Sequence, residues 1–146
     1  MAFSSLEEIN TYTKEHKCEF WEAVVKEEAK DSQMPEMDIV NRMTNMYHSM
    51  KEADDGYDGK LASHSGLSGG NGEKMADYAA DHRCLCGDFG GAVMARAIKM
   101  AESNACMKRI VAAPTAGSCG IVPAVLITYE RMTNTSENDM VKALFV

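Results

Sequence analysis

Two glycine-rich segments, residues 65–72 and 113–120, interrupt a chain whose other apolar residues recur at helical spacing. We call them the first and the second glycine-rich loop. Helix-forming sequence follows each loop, over 73–82 and 121–132, and a small-residue helical pattern covers 89–104 between them. Because residues three to four positions apart share one helix face, this pattern predicts an all-α fold with Gly-rich loops preceding helices.

The first sixty residues are charged and amphipathic, and they contain no glycine before Gly56. Ser4 or Ser5 can cap a first helix through its side-chain oxygen. Pro35 suits the first turn of a later helix, where its missing N–H is not needed. We therefore interpret residues 1–60 as a helical scaffold without catalytic groups.

The second part, residues 61–146, holds most of the glycines and the expected chemistry. Residues 110–113 alone have a strand-like composition, although they can equally be an extended lead-in to the second loop. The last helical pattern, capped by Thr135 or Ser136, stops within its apolar face at Val146. An uncapped apolar end is unusual, so we expect a truncated chain, with docking of this helix into a partner chain as the alternative.

Net charge and hydropathy exclude several classes of function. The formal net charge is −7 at pH 7, which argues against nucleic acid as a partner because phosphate binding needs clustered Lys and Arg. No apolar stretch approaches the roughly 20 residues that span a bilayer, and the N-terminus lacks a signal-peptide pattern. We predict a cytoplasmic protein with no membrane contact.

The five cysteines do not assemble a metal site by spacing. Cys84-x-Cys86 is too closely spaced for the usual zinc knuckle, and no second pair follows it. Iron–sulfur clusters normally take three or four thiolates, whereas Cys106 and Cys119 are isolated. In a reducing compartment these residues are free thiols or metal ligands before they are disulfides, and we predict no metal ligand among them.

The loops suit a small anion. A Gly-rich loop that leads into a helix places backbone N–H groups at the positive end of the helix dipole, where carboxylate or phosphate binds. Hydroxyl groups add further donors and acceptors from Ser65, Ser68, Thr115 and Ser118. The alternative is a pair of tight turns that only cap helices. His64 is a candidate general base because imidazole titrates near neutrality, with a surface or capping role as its alternative.

Four runs of the second part carry a family resemblance. They are Ser65-Gly-Leu-Ser-Gly-Gly70, Glu102-x-Asn104-Ala105-x-Met107, Ile110-Val-Ala-Ala-Pro-Thr-Ala-Gly-Ser118 and Gly120-Ile-Val-Pro-Ala124. In order and spacing they resemble the α chain of iron–sulfur-dependent L-serine dehydratase (L-serine ammonia-lyase). The resemblance covers residues 63–146, with a looser likeness of the preceding helices. It implies the N-terminal part of a mainly helical serine dehydratase α-type domain.

That resemblance implies a β-elimination of L-serine to pyruvate and ammonia. In the family a 4Fe-4S cluster, held by three cysteines, acts as a Lewis acid on the serine hydroxyl, which is otherwise a poor leaving group. The cluster motifs of the family, Gly-Cys-Gln, Cys-Asp-Pro and Val-Pro-Cys, do not occur in this sequence. We therefore expect no cluster in this chain and no activity from it alone.

The resemblance also implies a substrate site. Its residues are Ser65, Gly66, Ser68, Gly69, Gly70, Asn104, Thr115, Ala116, Gly117 and Ser118. Asn104 and Thr115 would hydrogen bond the amino acid, and the loop N–H groups its carboxylate. The resemblance identifies no catalytic base, and Cys119 occupies a position where relatives carry either Cys or Ala.

Two other functions stay open at this point. A cysteine desulfidase relative would release sulfide instead of water, and a non-catalytic helical binding or assembly module would keep the loops only as structure. The expected partners are L-serine or a similar small amino acid, the rest of the α chain and further copies of the chain in a homo-oligomer. A separate β chain is an open alternative.

Overall fold

The computed structural model describes residues 3–82, 84–113, 115, 118 and 120–146. Over these residues the chain has seven α-helices and no strand, which confirms the all-α prediction. The helices are α1 (Leu6–His16), α2 (Phe20–Ser32), α3 (Glu36–Asp55), α4 (Asn71–Ala80), α5 (Gly87–Ala105), α6 (Ile121–Thr133) and α7 (Glu137–Ala143). None of these helices is both long and apolar enough to cross a bilayer.

Local capping sets several helix ends, as the sequence predicts. The Glu8 N–H donates to Ser5 Oγ at 3.2 Å at the start of α1. At the start of α7, the Asp139 N–H donates to Ser136 Oγ at 3.2 Å. Ser5 and Ser136 are therefore the capping residues of the two pairs that the sequence offered. Pro35 directly precedes α3, and its carbonyl accepts hydrogen bonds from the amides three and four residues later.

The chain forms two compact units. The first unit is Met1–Asn45 with Ser136–Val146, and the second unit is Met46–Thr135. The boundary between them falls within α3, and the division near residue 60 that the composition indicates stays a prediction. Both glycine-rich loops belong to the second unit.

The first unit combines the N-terminal helices with α7. Within it α1 packs against α2. The Lys142 ammonium of α7 lies 5.2 Å from the ring centroid of Trp21 on α2, which is the geometry of a cation–π contact. Buried apolar side chains of this unit are Ala23, Val25, Ile39, Met140, Val141 and Phe145.

The second unit is arranged around α5, since both α4 and α6 pack against it. Its buried apolar residues include Tyr47, Met50, Met100, Ala124 and Ile127. Several α5 residues are small, which lets neighbouring backbones approach closely. The small-residue pattern over 89–104 therefore marks the helix on which the second unit is built.

Arg96 links three helices of the second unit through an ion pair and a hydrogen bond. The Arg96 Nε of α5 donates to both carboxylate oxygens of Asp54 on α3, at 2.8 and 2.9 Å. Its Nη1 donates to Thr128 Oγ1 on α6 at 2.6 Å. The side chains of Arg96 and Asp54 are only 16% and 6% exposed. Removing one charge would leave the other with little solvent to stabilise it.

We expect Asp54→Ala to lower the free energy of unfolding by about 3–5 kcal/mol, because it leaves the mostly buried Arg96 guanidinium without its carboxylate partner. Glu52→Ala is the matched control, since the Arg109–Glu52 pair is 68% exposed on both sides. Its expected effect is below about 1 kcal/mol. Urea unfolding followed by circular dichroism measures both. Equal losses in the two variants would contradict the structural role of the Asp54–Arg96 pair.

Candidate functional site

The carboxylate of Glu102, on α5, occupies the N-terminus of α4. It is 4% exposed and accepts hydrogen bonds from the backbone N–H groups of Asn71 at 2.7 Å and Gly72 at 3.0 Å. The Tyr57 hydroxyl donates to it as well, at 2.7 Å. The anion position at the end of the first glycine-rich loop is thus filled by a side chain of the chain itself.

The environment sets the ionisation of this pair. Burial opposes ionisation of Glu102 and raises its pKa, but the hydrogen bonds from Tyr57, Gly72 and Asn71 outweigh burial and hold the pKa below 4.5. Burial, followed by the hydrogen bond to Glu102, raises the pKa of Tyr57 to about 12. At neutral pH Glu102 is therefore ionised and Tyr57 keeps its proton, as the hydrogen bond between them requires.

The first loop depends on glycine at two adjacent positions. Gly69 and Gly70 have φ values of 150° and 74°, which side chains of L-residues rarely allow. A Cβ on Gly69 would also lie 2.4 Å from the Leu61 carbonyl oxygen. The Gly69 and Gly70 amides donate no hydrogen bond to any other described residue. These two backbone donors lie at the point where the loop meets α4.

Hydroxyl contacts shape the rest of the first loop. Ser63 Oγ accepts a hydrogen bond from the Ser68 N–H at 3.2 Å and lies 3.1 Å from Ser65 Oγ. Ser65 and the neighbouring His64 are exposed. Ser63, to which the sequence assigned no role, thus holds the loop, while Ser65 faces solvent.

The second loop is described at two of its predicted site residues. Thr115 Oγ1 and Ser118 Oγ lie 3.2 Å apart, and Ser118 Oγ also lies 3.3 Å from the Ala113 carbonyl oxygen, to which it donates. The predicted site residues Ala116 and Gly117, and likewise Cys119, lie outside the described residues. The described hydroxyls are therefore close together within this loop.

Both loop-to-helix junctions pack on the same turn of α5. A Cβ on Gly72, at the start of α4, would lie 2.5 Å from Lys99 Cγ and 3.0 Å from its backbone N. A Cβ on Gly120, just before α6, would lie 3.0 Å from the Ala97 carbonyl oxygen. Asn104 lies in the last turn of α5 and is exposed. One helix thus positions both loops, and it carries Asn104 as well.

Comparison with known proteins covers both loops. The family model described as "Serine dehydratase alpha chain" matches residues 15–146. The chain belongs to this family. The resemblance read from the loop motifs is therefore confirmed over most of the sequence.

Two relatives show the extent of the match. "Probable L-serine dehydratase, alpha chain" from Bacillus subtilis (strain 168) is 29% identical over 144 residues, which is 98% of this chain and 48% of the relative. "L-serine dehydratase, alpha chain" from Peptoniphilus asaccharolyticus is 32% identical over 121 residues, which is 82% of this chain and 41% of the relative. The chain thus spans about half the length of these relatives or less. No solved structure matches it significantly.

The described thiols of this serine dehydratase family member do not fit an iron–sulfur cluster. Cys18, Cys84, Cys86 and Cys106 are free. Within the described ranges, no three His, Cys, Asp or Glu side chains are grouped so that they could hold a metal ion. The cluster that the resemblance implies therefore has no ligand set among the described residues.

A cleft of about 610 Å³ in the second unit is separate from these loops. Its lining includes Asp55, His82, Asp88, Lys99 and Arg131. None of the described candidate residues of the two loops lines it, and neither does Asn104. The described part of the predicted amino-acid site therefore does not coincide with this cleft.

Sequence reasoning missed Glu102 and Tyr57 as structural parts of the site. Glu102 stands in one of the family-like runs, but a single acid on a helix has no pattern that reveals its contacts. The available signal is its position on a small-residue helix that was expected to pack closely. An acid on such a helix has to find hydrogen-bond donors when it is buried.

We expect Glu102→Gln to lower the free energy of unfolding at neutral pH by about 1.5–3 kcal/mol, the usual range for hydrogen bonds to a charged group. The hydrogen bonds hold the folded-state pKa of Glu102 below its ordinary value, so the ionised form stabilises the fold at neutral pH. This contribution is lost as pH falls through the lower folded-state pKa. The difference between wild type and variant should therefore shrink in acid.

Urea unfolding at a series of pH values between neutral and strongly acidic measures this difference. Glu52→Gln is the control, because its carboxylate is exposed and pairs with the exposed Arg109. A wild-type advantage over Glu102→Gln that persists unchanged in acid would contradict an ionised Glu102.

Proposed function

We propose that this chain is the substrate-binding part of an L-serine dehydratase α chain, in which L-serine is converted to pyruvate and ammonia. The observation that carries the proposal is the family match across residues 15–146, which contains both glycine-rich loops. The names of the two relatives support serine as the substrate. Both loop junctions pack against α5, and we propose that the two loops act on one small molecule.

We propose a position for the substrate carboxylate in the first glycine-rich loop. Glu102 already accepts from the Asn71 and Gly72 amides, so a second carboxylate at those donors would meet its negative charge. The Gly69 and Gly70 amides have no partner among the described residues. We therefore place the carboxylate at Gly69 and Gly70, at the edge of the α4 N-terminus.

The other groups of the amino acid are assigned to polar side chains. Asn104 and Ser65 are exposed at the end of α5 and in the first loop. An amide oxygen accepts from an ammonium group, and a hydroxyl both donates and accepts. Thr115 and Ser118 of the second loop supply further hydroxyls. These groups bind and orient the substrate.

The elimination itself needs chemical groups that the described residues do not supply. Release of hydroxide from serine needs a Lewis acid or a proton donor, and in the family resemblance an iron–sulfur cluster supplies it. Because the described residues do not fit such a cluster, we derive no step through it. We propose that this chain binds the amino acid but is inactive without the remainder of an α chain.

Partner chains belong to the same proposal. The relatives are named as alpha chains and are about twice as long as this chain or longer. We propose that the remainder of an α chain, and a separate β chain, complete the enzyme, that it forms a homo-oligomer and that it works in the cytoplasm.

L-serine should bind to the isolated chain, and isothermal titration calorimetry measures its dissociation constant. Ser65→Ala and Asn104→Ala should each weaken binding by up to about tenfold, because each removes one hydrogen bond worth about 0.5–1.5 kcal/mol. Ser49→Ala is the control, because it also removes one hydroxyl, but Ser49 is not one of the proposed site residues. Its Oγ accepts a hydrogen bond from Arg109 at 2.8 Å. L-cysteine in place of L-serine tests the desulfidase alternative. Binding of neither amino acid would favour the non-catalytic module.

Anaerobic reconstitution with iron and sulfide should give no stoichiometric cluster absorbance and no pyruvate from L-serine with this chain alone. The expectation follows because the described residues include no ligand set for a cluster. A coupled lactate dehydrogenase assay measures pyruvate, and a full-length relative treated in parallel is the positive control. Cluster absorbance near one per chain, or pyruvate formation, would overturn the proposed inactivity while leaving serine binding to be judged separately.

A further inference from the structure

Two thiols outside the proposed amino-acid site lie in a tight turn before α5. The Gly87 N–H donates to the Cys84 carbonyl at 3.0 Å and closes the turn. Gly87 has a φ of 74°, which suits glycine at this position. The turn brings Cys84 and Cys86 to the N-terminal end of a 19-residue helix.

The two sulfur atoms pack against two glycines in the first turns of α5. A Cβ on Gly90 would lie 2.8 Å from Cys86 Sγ, and a Cβ on Gly91 would lie 2.8 Å from Cys84 Sγ. Because Gly90 and Gly91 are consecutive, the sulfurs lie side by side over one helical turn. Burial, and after it the neighbouring Cys86 thiol, raises the pKa of Cys84.

The two thiols differ in access to solvent. Cys86 is exposed, whereas Cys84 is half-buried, with its sulfur against Gly91. A soluble reagent therefore reaches Cys86 first. Disulfides join residues whose Cα atoms are about 4.4–6.8 Å apart. With about 3.8 Å between consecutive Cα atoms, residues two apart in a turn fall within that range.

We propose that Cys84 and Cys86 form a dithiol site that a low-molecular-weight disulfide, of the glutathione class, converts to an intramolecular disulfide. Cys86 is the thiol that the reagent meets first, and Cys84 is the thiol that resolves the mixed disulfide. The site is independent of serine binding.

The exchange balances without a further reactant. The Cys86 thiolate attacks one sulfur of the reagent, forms a mixed disulfide and releases one thiolate. The Cys84 thiolate then attacks Cys86 Sγ and displaces the second thiolate. The two protons lost by the cysteines protonate the two released thiolates. The protein is oxidised by two electrons, and the reagent is reduced to two thiols.

The experiment uses the chain with Cys18, Cys106 and Cys119 replaced by serine, so that only the two proposed thiols remain. Oxidised glutathione is the probe, and intact mass with peptide mapping is the measurement. The expected product has lost two hydrogens, about 2 Da, and carries no glutathione. Cys84→Ser should instead retain one glutathione on Cys86. Cys86→Ser should react with oxidised glutathione at least about tenfold more slowly, because its remaining thiol, Cys84, is half-buried.

Circular dichroism of each variant confirms that it is folded before the masses are compared. A stable glutathione adduct on the chain that keeps both thiols would overturn the proposal. Such an adduct would show that Cys84 does not displace glutathione from the mixed disulfide on Cys86. Equal adduct formation in Cys84→Ser and Cys86→Ser would overturn the assigned order. Resistance of both thiols to the reagent would overturn the site as a whole.

Discussion

The buried carboxylate of Glu102 is the interaction on which the arrangement of the second unit depends. A charge with 4% exposure is costly unless hydrogen bonds replace water, and three donors do so here. The donors lie on α4 and on the segment after α3, whereas the carboxylate that accepts from them lies on α5. Loss of the charge would therefore release the start of α4 and the first glycine-rich loop together.

The small residues of α5 explain how one helix supports two loops. Gly72 and Gly120 approach its backbone so closely that neither position has room for a Cβ without movement of a neighbour. Close backbone contact leaves little freedom at the loop-to-helix junctions. Arg96 also links α5 to α3 through Asp54 and to α6 through Thr128. Polar contacts therefore orient a helix whose apolar side chains are small.

Local pattern predicted the helices and several of their ends. Ser5 and Ser136 cap α1 and α7, and the two glycine-rich loops precede α4 and α6, because capping and periodicity involve residues a few positions apart. The contacts of Glu102 were not predictable in the same way. It bonds to Asn71, 31 residues away, and to Tyr57, 45 residues away. No periodicity links residues at such separations.

The sequence by itself determined the all-α class, the two loops and the family, since each follows from residue type and spacing along the chain. Only the tertiary structure decided which anion occupies the start of α4. A helix N-terminus attracts any nearby carboxylate, and the packing of α5 against α4 brings Glu102 to it. The Asn71 and Gly72 amides are consequently occupied by a carboxylate of the chain itself. Their availability depends on a neighbouring helix, which the loop sequence does not encode.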